Sequence, residues 1–381
     1  MLETITTVFL GALGILNTLT WTLAYKWGTE SLRALEDPKP KPLPEEPLVS
    51  IIVPARNEAE NLPWLLDSLL SQDYVNYEVI IVDDNSVDNT YKVALEYAKR
   101  DPRIKPVRNQ LDPPPGWSPK VHAIIKGLEH VKPDTRVLVF LDADTRLLAD
   151  NVLRILVSNA YSFNGIVSLN PRFKCPTRRC RLAETILTTF AHSFLGFNRV
   201  LDPRHGLAWF YGCCWAVRRD VYDRLGGHYA VKHSIVEDRD LAEKAKPLGI
   251  PLKIIRAWDL IETKWYPAIK DSVKVLARLM RRHAERKNKT IAEASIIALS
   301  YLLPIINTAA GLLLDQPALT ITGALNYIAL TLTHTIGARI NRYNPAYVLL
   351  APLAGTIMSW GLLEAVRSKH VEWRLRTLTR G

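Results

Sequence analysis

The sequence predicts an α/β domain built on a mostly parallel sheet, with α-helical transmembrane segments at both ends. Three observations carry this expectation. Between residues 49 and 141, short β-branched apolar runs alternate with stretches of helical periodicity. Each of those runs ends in a polar turn, PARNE, DDNS or DADT. Long uncharged stretches lie near both termini, and they explain how a chain with 23% charged residues has a mean hydropathy near zero. With 381 residues the chain exceeds the usual reach of one hydrophobic core, so at least two units are expected.

Residues 5–25 carry no charge, enough for a helix to cross a hydrocarbon core of ~30 Å. Glu3 is the only early charge and no A-x-A-like site follows, so residues 1–28 read as an anchor and not as a cleaved signal. The prolines of DPKPKPLPEEPL make residues 29–48 an extended linker. Strands are predicted over 49–53, 77–82 and 136–141, and helices over 59–70, 90–100 and 121–129, giving a first half-domain over 49–150. The second half, 151–265, is less regular. It holds a helix over 181–197, then a strand, a helix and a Gly-Gly stop in FYGCCWAVRRDVYDRLGG. Residues 266–292 form a basic amphipathic stretch suited to a membrane interface. Apolar stretches over 296–314, 318–340 and 347–363 predict transmembrane helices within 293–367, and 368–381 is a basic tail.

The net charge of +11 does not form an aromatic-interleaved patch of the kind that binds nucleic acid. Its Lys and Arg cluster over 264–289 and beside the apolar stretches, which suits anionic headgroups and phosphates. Cys175, Cys180, Cys213 and Cys214 show no zinc-type spacing, and neither a metal site nor a disulfide framework is expected of them. A reducing, cytosolic setting is compatible.

Several residues can carry chemistry, each with a plainer alternative. Asp142 and Asp144 stand one residue apart at a strand end, where a turn lets both reach one hard cation, Mg²⁺ or Mn²⁺; the plain alternative is a solvated turn with Asp144 as a helix cap. Asp83 and Asp84 end the preceding strand, where a carboxylate can accept from a nucleobase or ribose, or where the segment simply starts a helix. Glu58 follows PARN in a similar place, with a helix-initiating acid as the plain alternative. Lys120 precedes a helix N-terminus, a setting for phosphate, or is an ordinary surface lysine. Glu237 and Asp238 open an acid-rich helix, where a tuned carboxylate can act as a general base or where the acids simply favour the helix N-terminus. Arg278, Arg281, Arg282 and His283 can clamp a diphosphate or meet lipid headgroups.

The order of motifs SIIVPARNEAENLPWLLDSLLSQ, EVIIVDDNSVDNT, PPPGWSPKVHAIIKGLE, VLVFLDADT and VEDRDLA resembles the family 2 glycosyltransferases of GT-A (Rossmann-like) fold. The resemblance covers about residues 49–265, and PPPGW with KxxA is most similar to membrane enzymes acting on carotenoid acids, hopanoids or ceramide. It implies that Pro54, Glu58, Asp83 and Asp84 bind the nucleoside, that Lys120 and Asp142 attend the donor, and that Asp142 and Asp144 hold Mg²⁺ or Mn²⁺. Asp238 matches the base of an inverting transfer, and Arg281 the diphosphate contact. The implied partners are a nucleoside diphosphate sugar, a UDP-sugar first, and a membrane lipid acceptor, with no nucleic acid. The implied location is the cell membrane, with a cytoplasmic catalytic domain.

Processive relatives carry QxxRW before their membrane helices, whereas this chain has Arg278-Leu-Met-Arg281-Arg282, which favours transfer of one sugar. A polyprenyl-phosphate glycosyltransferase, a processive polysaccharide synthase and a catalytically silent membrane scaffold stand as alternatives. The closing HVEWRLR is similar to the basic tail of the bacterial group. Three C-terminal spans would put residues 367–380 outside, against the positive-inside tendency, unless one stretch is re-entrant or interfacial.

Overall fold

The computed structural model describes residues 2–265, 268–368, 371–373 and 376–378. Along the chain run α1 (Leu2–Arg33), β1 (Val49–Ala55), α2 (Leu62–Leu70), β2 (Tyr77–Asp84), α3 (Thr90–Arg100), β3 (Ile104–Asn109), α4 (Pro119–Leu128), β4 (Val137–Leu141), β5 (Thr145–Leu147) and α5 (Val152–Ser162). There follow β6 (Ile166–Asn170), β7 (Arg172–Lys174), α6 (Arg178–Phe194), α7 (Phe197–Val200), β8 (Cys214–Arg218), α8 (Arg219–Leu225), α9 (Glu237–Ala245), β9 (Leu252–Arg256) and β10 (Ile261–Lys264). The chain closes with α10 (Ile269–Leu279), α11 (Lys287–Leu313), α12 (Pro317–Ile340), α13 (Ala351–Ala354), α14 (Thr356–Arg367), β11 (Val371–Trp373) and β12 (Arg376–Leu378). Two compact units result, a sheet unit of residues 35–172, 199–264 and 370–381 and a helical unit of residues 1–34, 173–198 and 265–369.

In the sheet unit seven strands lie in the order β3-β2-β1-β4-β8-β6-β9. All run parallel except β8, which is antiparallel to both β4 and β6. Helices cover both faces of such a sheet, so β2 and β4 are buried along their whole length and read as continuous apolar runs. The register Ala55↔Asp83 and Asp83↔Arg108 brings the ends of β1, β2 and β3 to one sheet edge. β3 was not legible as a strand because IKPVRN is polar and holds Pro106, a composition tolerated at the edge position it occupies. β5 and β10 pair antiparallel, Thr145 opposite Thr263, and fix the chain just beyond DADT.

In the helical unit, contacts fix the direction of each long helix. α1 and α12 run parallel: Gly14 faces Thr322, Asn17 Nδ2 donates to Asn326 Oδ1 at 3.1 Å, Thr333 Oγ1 donates to the Trp21 carbonyl, and Gly28 faces Ile336. α11 runs opposite to both, since Asn307 donates to the Leu10 carbonyl, Asn17 to that of Ser300, and Tyr301 bonds His334. A Cβ at Gly323 would lie 2.4 Å from Thr308 Oγ1, so the missing side chain lets α11 and α12 approach closely.

Among the described residues two helices are long and apolar enough to cross a membrane, Thr4–Arg33 and Lys287–Leu313. The last apolar stretch is a pair, Pro345–Ala354 and Thr356–Arg367, bent by 48°. α12 forms as expected but is not among the membrane-crossing candidates; it buries Asn326, Thr333 and His334 against its neighbours. The apolar side of α10 packs on α14, where Leu276 fills the space over Gly361, so the apolar face is spent on protein. Helix α6, read within the second half-domain, belongs to the helical unit.

The expectation for the cysteines needs correction, for Cys175 and Cys180 form a disulfide. Thr177 caps α6 by accepting from the Cys180 N–H, and the turn brings the two Cα atoms to 5.4 Å, within bridging reach. Cys213 and Cys214 are free and buried. Half of the basic tail, residues 369–370, 374–375 and 379–381, falls outside the described residues; within it Val371 pairs with Leu378 in an antiparallel register.

Candidate active site

The ends of β1 and β2 are stitched together by their own turns. Asn57 and Asn85 adopt left-handed backbone (φ 53° each), a conformation that Asn tolerates. The Asn57 N–H donates to Ser86 Oγ, Glu58 N–H to Thr90 Oγ1 and Ala59 N–H to Asp88 Oδ2. Asp84 is fully buried and accepts from Asn109 Nδ2 at 2.9 Å, while the Arg56 guanidinium donates to its carbonyl. Asp83 is buried too, and its Oδ1 has no hydrogen-bond partner among the described residues. Burial pushes the Asp83 carboxyl above the usual range, against hydrogen bonds from Ser86 that hold it down. Glu58 Oε2 accepts from Asn61 at 2.7 Å.

At the end of β4 the chain turns sharply, with the Thr145 N–H on the Asp142 carbonyl and the Asp142 N–H on that of Cys213. Ala143 points into the core and is 3% exposed, while Asp142 and Asp144 on either side are partly open to solvent. Lys120, at the start of α4, reaches Asp142 Oδ1 and Glu237 Oε1, each at 2.7 Å. Burial opposes its charge, but these two carboxylates overcome it and hold its pKa well above the ordinary lysine value. Burial likewise works against ionised Glu237, and Lys120 outweighs it and keeps that carboxylate below the usual range.

Asp238, next on α9, accepts from the Gly212 N–H at 3.1 Å and from the Arg239 N–H at 2.7 Å. A Cβ at Gly212 would sit 2.8 Å from Asp238 Oδ2, so only glycine admits this approach. Burial first, and the Glu237 charge second, raise the Asp238 carboxyl to about 7. A small pocket joins these parts, lined by Pro54, Lys120, Asp142, Gly212, His228 and Glu237. His228 is buried against Phe140 and Trp215, bonds Tyr222 through Nδ1 at 2.7 Å, and is pushed by burial down to about 3, hence neutral. A set of this kind can hold phosphates with one cation, coordinate another between two carboxylates, and take up a proton on a third.

Residues 50–226 match the family model of glycosyl transferase family 2. That region is similar to glycosyl transferase family 2 along most of the sheet unit's first strands and helices. Among curated relatives, the 4,4'-diaponeurosporenoate glycosyltransferase of Staphylococcus aureus (strain USA300) is 25% identical over 222 residues, covering 57% of this chain and 56% of the relative. That of Staphylococcus haemolyticus is 24% identical over 225 residues, covering 58% and 57%. The chain thus spans a little over half the length of the curated relatives it matches. A mannosyltransferase from Pyrobaculum calidifontis, solved in complex with GDP-Man and Mn²⁺, is 24% identical, covers 96% of this chain and 98% of its own, and superposes with a TM-score of 0.55. That likeness shows the GT-A fold.

Pro54, Lys120 and Asp142 come together in the pocket, with Asp238, beyond the residues the family model matches, bonded to its Gly212; Asp83, Asp84 and Glu58 gather at the β1–β2 turns. Arg281 belongs to the helical unit, where it donates to the carbonyls of Ala365 and Ser368. Three partners were not among the predicted site residues: Asn109 on Asp84, His228 in the pocket, and the Gly212 N–H on Asp238. Only His228 carried a signal, its place directly after the Gly-Gly stop.

Proposed function

We propose that this chain transfers one sugar from a nucleoside diphosphate sugar to a membrane lipid hydroxyl, inverting the anomeric carbon, with Asp238 as base. The carrying observation is the ion-pair chain Asp142–Lys120–Glu237, which ties the DADT turn to the helix that bears Asp238. Asp238 at about 7 is poised to take a hydroxyl proton near neutral pH. In the step itself, the acceptor oxygen bonds to the anomeric carbon as its proton passes to Asp238. The bond from that carbon to the diphosphate breaks, and its electron pair leaves with the nucleoside diphosphate. Lys120 presents a permanent cation to the donor phosphates, and the unpartnered Asp83 Oδ1 suits a nucleobase N–H.

Among the described residues no group of three or more His, Cys, Asp or Glu side chains is arranged to hold a metal. Asp142 and Asp144 nevertheless fit Mg²⁺ or Mn²⁺, which need few protein carboxylates and leave coordination positions to water and substrate phosphates. When bound there, such an ion neutralises charge on the departing diphosphate. The Mn²⁺ and GDP-Man of the mannosyltransferase structure support this reading. The naming of the staphylococcal relatives for 4,4'-diaponeurosporenoate, and two helices long and apolar enough to cross a membrane, support a lipid-borne acceptor. Nucleotide sugars are cytosolic, so the sheet unit is proposed to face the cytoplasm.

The test is a panel of UDP-hexoses and GDP-mannose supplied with Mn²⁺ and extracted lipids to the purified full chain, followed by mass spectrometry. The expected product is a lipid heavier by one hexose. Unchanged lipids with every donor would overturn the transfer, and a ladder of added hexoses would overturn the single step.

A further inference from the structure

The directions of the helices collect the charge of the helical unit at one end. α1 and α12 finish there with Lys26, Arg33 and Arg339, and antiparallel α11 begins there with Lys287 and Lys289, just after Arg286. Away from that end the basic residues vanish. Residues 4–25 contain no Lys or Arg, and residues 290–338 contain Glu293 and Asp315 but no Lys or Arg. The bent pair conforms. It starts just after Arg342, turns at Gly355 against the Tyr301 ring half-way along α11, and returns to place Ala365 and Ser368 on Arg281. Thr290 of α11 donates to the His283 carbonyl, so this neighbourhood is the basic end of α11. A segment that enters and leaves at the same end is re-entrant, which removes the conflict with charge asymmetry that three full spans create.

The basic end is solvent-facing. Lys26, Arg286, Lys287, Lys289, Arg339 and Arg367 are exposed; among the described residues Glu30 lies 4.0 Å from Lys26, and Glu293 lies 3.8 Å from Lys289 and bonds His283. Because the apolar side of α10 is already packed on α14, attraction to a membrane surface at this end has to come from charge. We infer that this basic end is a docking surface for anionic phospholipid headgroups, which gather around the helical unit as a ring at one leaflet. A row of cations directly flanking an apolar span meets headgroup phosphates at the depth where they lie, and each Lys or Arg adds attraction that salt weakens. The inference rests on reading α1 and α11 as membrane spans.

The full chain is reconstituted in nanodiscs of phosphatidylcholine with one fifth phosphatidylglycerol, and lipids retained on release are identified by native mass spectrometry. Phosphatidylglycerol is expected at about twice or more its bulk share. In a variant with Lys26→Gln, Arg286→Gln, Lys287→Gln and Arg339→Gln the share falls to bulk. Replacing Lys92, Lys99, Lys132 and Arg224 of the sheet unit by Gln leaves the enrichment in place. A bulk share in the unaltered protein, or equal loss in both variants, would overturn the inference. Failure of the chain to enter nanodiscs would overturn the span reading, and the inference with it.

Discussion

Both units bury polar groups, and they do so by different means. In the sheet unit a charged cluster is held at the pocket: Lys120 sits between Asp142 and Glu237, beside Asp238, whose carboxyl is raised to about 7. In the helical unit the buried groups are neutral and reciprocal: Asn17 donates to Asn326 and Ser300, and Tyr301 pairs with His334. Neutral pairs fasten helices at small individual gain, whereas a partly paired charge cluster is costly and persists where a ligand uses it. Under the proposed function, this contrast puts chemistry in one unit and anchoring in the other.

The comparison breaks most visibly at Asp238. Asp238→Asn is expected to lower kcat by about 10²–10⁴-fold with donor affinity little changed, as judged by steady-state assay and isothermal titration. Near-normal turnover would remove the base and favour a phosphate acceptor. The same change is expected to stabilise the fold at alkaline pH. A carboxyl whose folded pKa is raised from near 4 to about 7 loses folded-state stability as pH climbs through that window, and Asn does not. A melting temperature of Asp238→Asn at pH 8 below that of the unaltered protein would contradict this.

The next effect is on pH dependence. The rising limb of kcat against pH should have its midpoint near 7, and Glu237→Gln should move it to lower pH, because a like charge beside Asp238 is lost. An unmoved or raised midpoint would uncouple the pair. The smallest effect lies in the helical unit. Asn17→Ala is expected to cost about 1–2 kcal/mol in stability by denaturation in detergent, with kcat unchanged. A large loss of turnover would mean that the two units divide their work differently.

Much of this contrast was readable in the sequence, and unevenly so. Continuous apolar strands followed by DDNS and DADT announced a buried parallel sheet with carboxylates at its rim, because strand burial and turn chemistry are local. The bond from Lys120 to Glu237 joins residues 117 apart in sequence and needed the fold. Asn109 was hidden because β3 is a polar edge strand that does not look like one. The disulfide was hidden because Cys175 and Cys180 meet only through the capped start of α6. α12 looked like its apolar neighbours, although its Asn, Thr and His residues face protein. The stretch before α11 looked like a surface helix, although its apolar side was already taken by α14.

The central claim is a single displacement in which Asp238 takes the acceptor proton. It is tested most directly by the anomeric configuration of the glycolipid formed from an α-linked donor, read by proton NMR. The account predicts a β-linked product. An α-linked product would contradict it, since a single displacement inverts the anomeric carbon and retention requires a second displacement or a front-face path.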